Sequence, residues 1–124
     1  HNHAEAIELL NRAIDEQPSY AFSYFNLARA YKGMGKPGGE VLKLLERAAR
    51  AAKANLRMGH DIKRNTYCLF LVYAALGDRE AALEYLRKCS NYDLPLKSWG
   101  IADKITIEAL KNDPEFQALI STAR

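Results

Sequence analysis

Two stretches of this chain carry side chains at the same spacing. Tyr24, Leu27, Ala28, Tyr31 and Gly35 follow one another at steps of three, one, three and four residues, and Thr66, Leu69, Phe70, Tyr73 and Gly77 repeat those steps. Steps of three and four place residues on one face of an α-helix. After each glycine comes a second set, Val41, Leu45 and Ala48 in one copy and Ala82, Leu86 and Cys89 in the other. Ala6, Leu10 and Ala13 give the same triplet once more, with Pro18 after it. Small residues facing large ones let two helix axes approach closely, and the glycine lets the chain reverse within a few residues. One such hairpin cannot bury its apolar face alone, so the copies must stack.

The periodicity predicts helices over 4–16, 20–34, 40–58, 62–76, 79–90, 102–111 and 114–122, about seven in all, and nowhere the strict alternation of a strand. Pro18, Gly33 with Gly35, Gly59 and Gly77 mark helix ends, while Asp61 and Asp78 are placed to cap the helices that follow. The segment 62–76 is apolar almost all round and is expected to be the most buried. Residues 91–98, with Pro95, are expected to form a loop, and Trp99 to pack over the last hairpin.

Composition narrows the class further. At 124 residues there is room for one domain, and 48% hydrophobic with 27% charged residues is a globular mixture rather than a disordered one. The longest apolar run, Cys68 to Leu76, falls short of the roughly 18 residues a membrane span needs, so no membrane is expected. Cys68 and Cys89 sit in apolar helical patterns, match no zinc spacing and suit reduced core positions, which points to a cytoplasmic protein. No nucleophile with a base, paired carboxylates or glycine-rich phosphate loop is visible, so neither an enzyme nor a cofactor or metal site is expected. His1-Asn2-His3 reads as a frayed terminus and His60 as a structural residue at a bend.

The charge is uneven. Residues 40–64 hold seven cations against three acids, a net +4 that leaves −1 for the rest of a chain whose total is +3. Lys43, Arg47, Arg50, Lys53 and Arg57 follow a helical spacing. A solvated face is the plain reading, and an acidic protein partner suits it better than nucleic acid, because no aromatics are interleaved.

With these residues in view, the chain resembles the tetratricopeptide repeat, a helix-turn-helix unit of about 34 residues. The stretches AEAIELLNRAIDEQPSYAFSYFNLARAYKGMG and TYCLFLVYAALGDREAALEYLRKC carry the resemblance, which extends over residues 3–95. The end, EALKNDPEFQALI, is similar to the short tail that follows such repeats in bacterial proteins, with Phe116 and Leu119 placed to cap the open end. The resemblance implies an all-α, right-handed α-solenoid of antiparallel hairpins. It divides into a half repeat at 3–18, an extended repeat at 21–58, a repeat at 61–95 and capping helices at 99–124. The step between the two full copies is 42 residues, about eight more than the family's period, expected as one added turn on each side of Gly59.

The resemblance also implies a function. In this family the first helix of each repeat lines a concave groove that takes a partner peptide or helix. Outward positions on those helices are Phe22, Phe25, Asn26, Arg29 and Lys32, then Arg64, Tyr67 and Leu71. Exposed aromatics beside cations make a peptide site. Some members clamp a C-terminal carboxylate there; Asn26 and Arg64 match two clamp positions, whereas Cys68 stands where a further cation belongs. The leading expectation is an adaptor for a protein or peptide. The second is a structural C-terminal end of a longer helical array that holds an attached domain or self-associates, as a homodimer through the N-terminal helix, because Ile7 and Leu10 lack part of their cover.

Overall fold

A computed structural model describes residues 2–92 and 110–121, and every regular element among them is helical. The helices are α1 (His3–Glu16), α2 (Ala21–Gly33), α3 (Gly38–Arg57), α4 (Ile62–Leu76), α5 (Arg79–Asn91) and α6 (Pro114–Ser121). Each of the first five packs on the next, and α2 also touches α4. This is the stacked order of hairpins that the repeated spacing predicts: α2 with α3, then α4 with α5. Of the expected helix at 102–111, only Leu110 and Lys111 are described; Leu110 sits in a 3₁₀ turn with Lys111 in the turn after it. Pro95 and Trp99 lie outside the described residues.

The helix ends show why the chain reverses where it does. Gly35, Gly59 and Gly77 all have positive φ, near 71°, 73° and 77°, the left-handed region where a Cβ is costly. The residue after each glycine sends its N–H back five positions: Lys36 to the Tyr31 carbonyl, His60 to Asn55 and Asp78 to Tyr73, at 3.0, 2.8 and 3.0 Å. These are the paired bonds of a Schellman ending, which satisfy carbonyls the helix leaves open. Asp78 caps α5 as expected, its carboxylate accepting the Ala81 N–H at 3.2 Å. Asp61 corrects its expectation. It stands at the start of α4 but makes no side-chain cap, and its own backbone is left-handed at φ 43°. Asn2 is a second correction, because it caps α1 by accepting the Glu5 N–H at 3.1 Å. The His3 ring lies against Gly33, where an added Cβ would meet it at 2.7 Å.

The core runs through the stack. Ala48, Ala52, Cys68, Leu69, Phe70, Val72, Ala82, Leu86 and Cys89 are fully buried, which puts the alanines and cysteines of α3, α4 and α5 against large neighbours. Removing a large side chain of this kind from water contributes about 1.5–3 kcal/mol. As expected, α4 is the most enclosed helix: every residue from Asn65 to Val72 is buried. No residue of α1 is, although Ile7, Leu10 and Ile14 lean on the core.

The extra length is placed differently from the expected turn on each side of Gly59. At 20 residues α3 is seven longer than α5, whereas α4, at 15, exceeds α2 by two. Nearly all the excess therefore lies before Gly59. Its physical reason is Asn55, buried on that added length. The Asn55 amide donates to the Ser19 carbonyl at 2.9 Å and to Asn65 Oδ1 at 3.1 Å. Asn65 in turn donates to the carbonyls of His60 and Asp61 at 3.2 and 3.0 Å. The longer α3 thus reaches the α1–α2 corner and ties it to the start of α4.

Candidate functional site

A row of aromatic rings crosses the face formed by α2 and α4. Tyr20 and Phe22 have centroids 6.1 Å apart, Phe22 and Tyr67 6.3 Å, Tyr67 and Phe70 6.3 Å, and Phe70 and Phe116 6.3 Å. Phe25 meets Phe22 edge-on at 6.3 Å. Offset and edge contacts of this kind suit the ring quadrupole. At the outer end of the row the rings stand open, and Tyr20, Phe22, Asn26, Arg64 and Tyr67 line a cleft of about 320 Å³. That volume is at the lower end of the range for small ligand sites. It is lined by one guanidinium, one carboxamide and three aromatic rings.

Four of the eight residues expected to bind a partner meet in this cleft: Phe22, Asn26, Arg64 and Tyr67. Arg64 stands 3.8 Å from the Asp61 carboxylate, with both side chains about half exposed. A pair at that separation in water holds an arginine weakly, so its donors remain open to a ligand. Phe25, Arg29 and Lys32 line a separate, much smaller hollow of about 40 Å³ with Ala28, Val41, Leu45 and Ala75. Arg29 lies over the Phe25 ring at 5.8 Å. Leu71 lines neither.

Three of these residues are not outward-facing, contrary to expectation. Phe25 is 1% exposed, Tyr67 4% and Leu71 6%. The reason is that a helix in the middle of a stack has two apolar faces. The Tyr24, Leu27, Ala28 and Tyr31 stripe is only the face within the hairpin, and Phe25 and Tyr67 belong to the layer between successive hairpins. Tyr20 is the residue the sequence reading missed. Its place in the turn before α2, two residues after Pro18 and two before Phe22, is the signal that marks it.

A second hollow, of about 140 Å³, is lined by Gln17, Ser19, Tyr20, Asn55, His60, Asp61 and Asn65, and so adjoins the first through Tyr20. On α3, Arg47 lies over the Tyr24 ring at 4.6 Å and Lys53 over Tyr73 at 5.2 Å. A side-chain hydrogen bond with Tyr73 holds the Lys53 ammonium above its usual pKa, against the opposing pull of burial. Tyr73 stacks on Tyr85 at 5.7 Å. Two cations of the basic stripe are therefore engaged with aromatic rings of the fold, while Lys43, Arg50 and Arg57 face water. Cys68 and Cys89 are free thiols, and burial pushes each up to about 12. Among the described residues no group of three or more His, Cys, Asp or Glu is placed to hold a metal, and no helix is long and apolar enough to cross a membrane.

Stacked helix hairpins, each closed by a glycine and each burying small residues against large ones, define a helical-repeat protein. The tetratricopeptide-repeat family model matches residues 71–94, from the second half of α4 through α5. The match supports a tetratricopeptide repeat within the helical stack, and repeats of this kind generally serve protein–protein interaction. Comparison with curated proteins and with solved structures finds no match.

Proposed function

We propose that this protein binds a segment of a partner protein in the cleft between α2 and α4. The observation that carries this reading is the cleft itself. It joins an aromatic floor to a weakly held arginine and an asparagine amide, and gathers four residues that the family resemblance nominated. An extended segment would lay an apolar side chain on Tyr20 and Phe22 while Asn26 and Arg64 take its polar or acidic groups. Phe25 supports this floor edge-on to Phe22, Leu71 belongs to the core behind it, and Arg29 and Lys32 lie beyond it on α2. In this reading the protein is a cytoplasmic adaptor without catalytic activity, cofactor or metal. The last helix, α6, with Phe116 stacked on Phe70, closes the end of the array.

The test is a double substitution, Phe22→Ala with Arg64→Glu, measured by calorimetry against an identified partner. Arg64 is half exposed and Phe22 sits at the margin of the core, and circular dichroism verifies that the variant keeps its fold. A loss of at least about tenfold in affinity, or ~1.4 kcal/mol, is expected. Unchanged binding rejects the cleft.

A second reading is self-association, and one observation favours it. The helix α1 buries none of its residues, and Leu9 on it is 54% exposed.

A further inference from the structure

The outer face of α1 carries Glu5, Glu8, Arg12 and Asp15, at steps of three, four and three residues. The outer face of α3 carries Lys43, Glu46, Arg50 and Lys53, at the same steps. At about 100° per residue, each set falls within about 80° of arc, one stripe along one side of its helix. All four residues on α1 are exposed, as are Lys43, Glu46 and Arg50, while Lys53 is half-buried over Tyr73.

Read from N to C, the signs on α1 are minus, minus, plus, minus. Read from C to N, the signs on α3 are plus, plus, minus, plus. Laid antiparallel, the two stripes oppose Glu5 to Lys53, Glu8 to Arg50, Arg12 to Glu46 and Asp15 to Lys43. The inverted pair, Arg12 with Glu46, makes the match more than a meeting of acidic and basic helices, because each helix places its odd charge where the other needs it. Equal steps and equal rise keep all four pairs in register over ten residues, about 15 Å.

Within one chain this pairing cannot form. Four-residue connections reverse the chain between α1 and α2 and again between α2 and α3, so α1 and α3 run the same way. A second copy turned about a two-fold axis presents its α3 to α1 antiparallel, and its α1 to the first copy's α3 in the same act. We propose that this face is a self-complementary docking surface, through which two copies of the chain form a dimer, α1 of each against α3 of the other. The inference rests on the self-association reading and is independent of the cleft. In the single chain Arg12 reaches Glu8 at 3.2 Å, an ion pair with both side chains 67% exposed, which is readily shared with a new partner. The added length of α3 supplies Lys53, the last member of its stripe.

Charge exchange tests the register. One variant carries Glu8→Lys with Asp15→Lys, the other Lys43→Glu with Arg50→Glu, and circular dichroism verifies that both remain helical. Sedimentation velocity at low salt should show a wild-type dimer that dissociates as salt is raised. Each variant alone should dimerise at least about tenfold more weakly, since like charges then meet in both contacts. Mixed together they should form a heterodimer of wild-type strength, because one contact keeps its native signs and the other exchanges them. The chain with all four substitutions should dimerise with itself again. A wild type that stays monomeric at low salt overturns the proposal. So does a mixture that stays monomeric, and a dimer indifferent to both variants shows self-association through another face.

Discussion

At the scale of single residues, burial decides what each side chain does. Cys89 occupies a position where the repeat calls for a small residue, Cys68 lies in the apolar run of α4, and both are enclosed. With their thiols pushed up to about 12, almost no thiolate exists at neutral pH. The native protein should therefore react with Ellman's reagent far more slowly than the unfolded chain, which releases two equivalents. A fast equivalent without denaturant contradicts this burial. The same rise makes the thiols a source of alkaline instability: their contribution is intact below the unfolded pKa, near 9, and is lost as pH climbs toward 12. The reduced core role was legible because both cysteines fall in apolar stripes. Burial of Phe25 and Tyr67 was not. A hairpin pattern shows which residues meet inside the hairpin, and the layer between hairpins depends on how copies stack, which no local spacing encodes.

At the scale of elements, helix starts and stops were legible wherever a glycine or proline marks them. The length of α3 was only half legible: the 42-residue step betrays an insertion, yet the folded lengths of α3 and α4 are what place it before Gly59, where Asn55 finds its partners. The short α6 is held by side-chain chemistry more than by its own propensity. Asp113 accepts the N–H groups of Glu115 and Phe116 at 3.0 and 3.2 Å and pairs with Arg79 of α5, while Arg87 pairs with Glu115. The hydrogen bond from Arg79 is the main reason the Asp113 carboxyl lies below its ordinary range, with the two backbone bonds adding to it. A depressed carboxylate stabilises the folded form above its unfolded pKa, near 4, and ceases to do so as pH falls through the lower folded value. Urea denaturation across pH 2–6 should accordingly show a steeper acid decline for the wild type than for Asp113→Asn, which keeps a capping oxygen and never carries the charge. Parallel curves remove Asp113 from the account.

At the scale of the whole molecule, the fold class followed from the repeat, whereas the cleft was legible only in part. Phe22, Asn26, Arg64 and Tyr67 could be nominated because equivalent positions on equivalent helices line one surface. Their meeting in a single cleft depends on Tyr20, contributed by a turn. The Asn55 network joins the same turn to α3 and α4. Replacing Asn55 with alanine leaves Asn65 Oδ1, in a buried residue, and the part-buried Ser19 carbonyl short of a donor, at a cost of about 1–3 kcal/mol measured by chemical denaturation. An unchanged midpoint places the network at the margin.

Repeat arrays are ordinarily zippers: each unit answers to its neighbours, and the ends fray one unit at a time. One buried carboxamide alters that here. It holds backbone from the first turn and a side chain of the second full hairpin at once, so parting the two hairpins must also undo a knot across three segments.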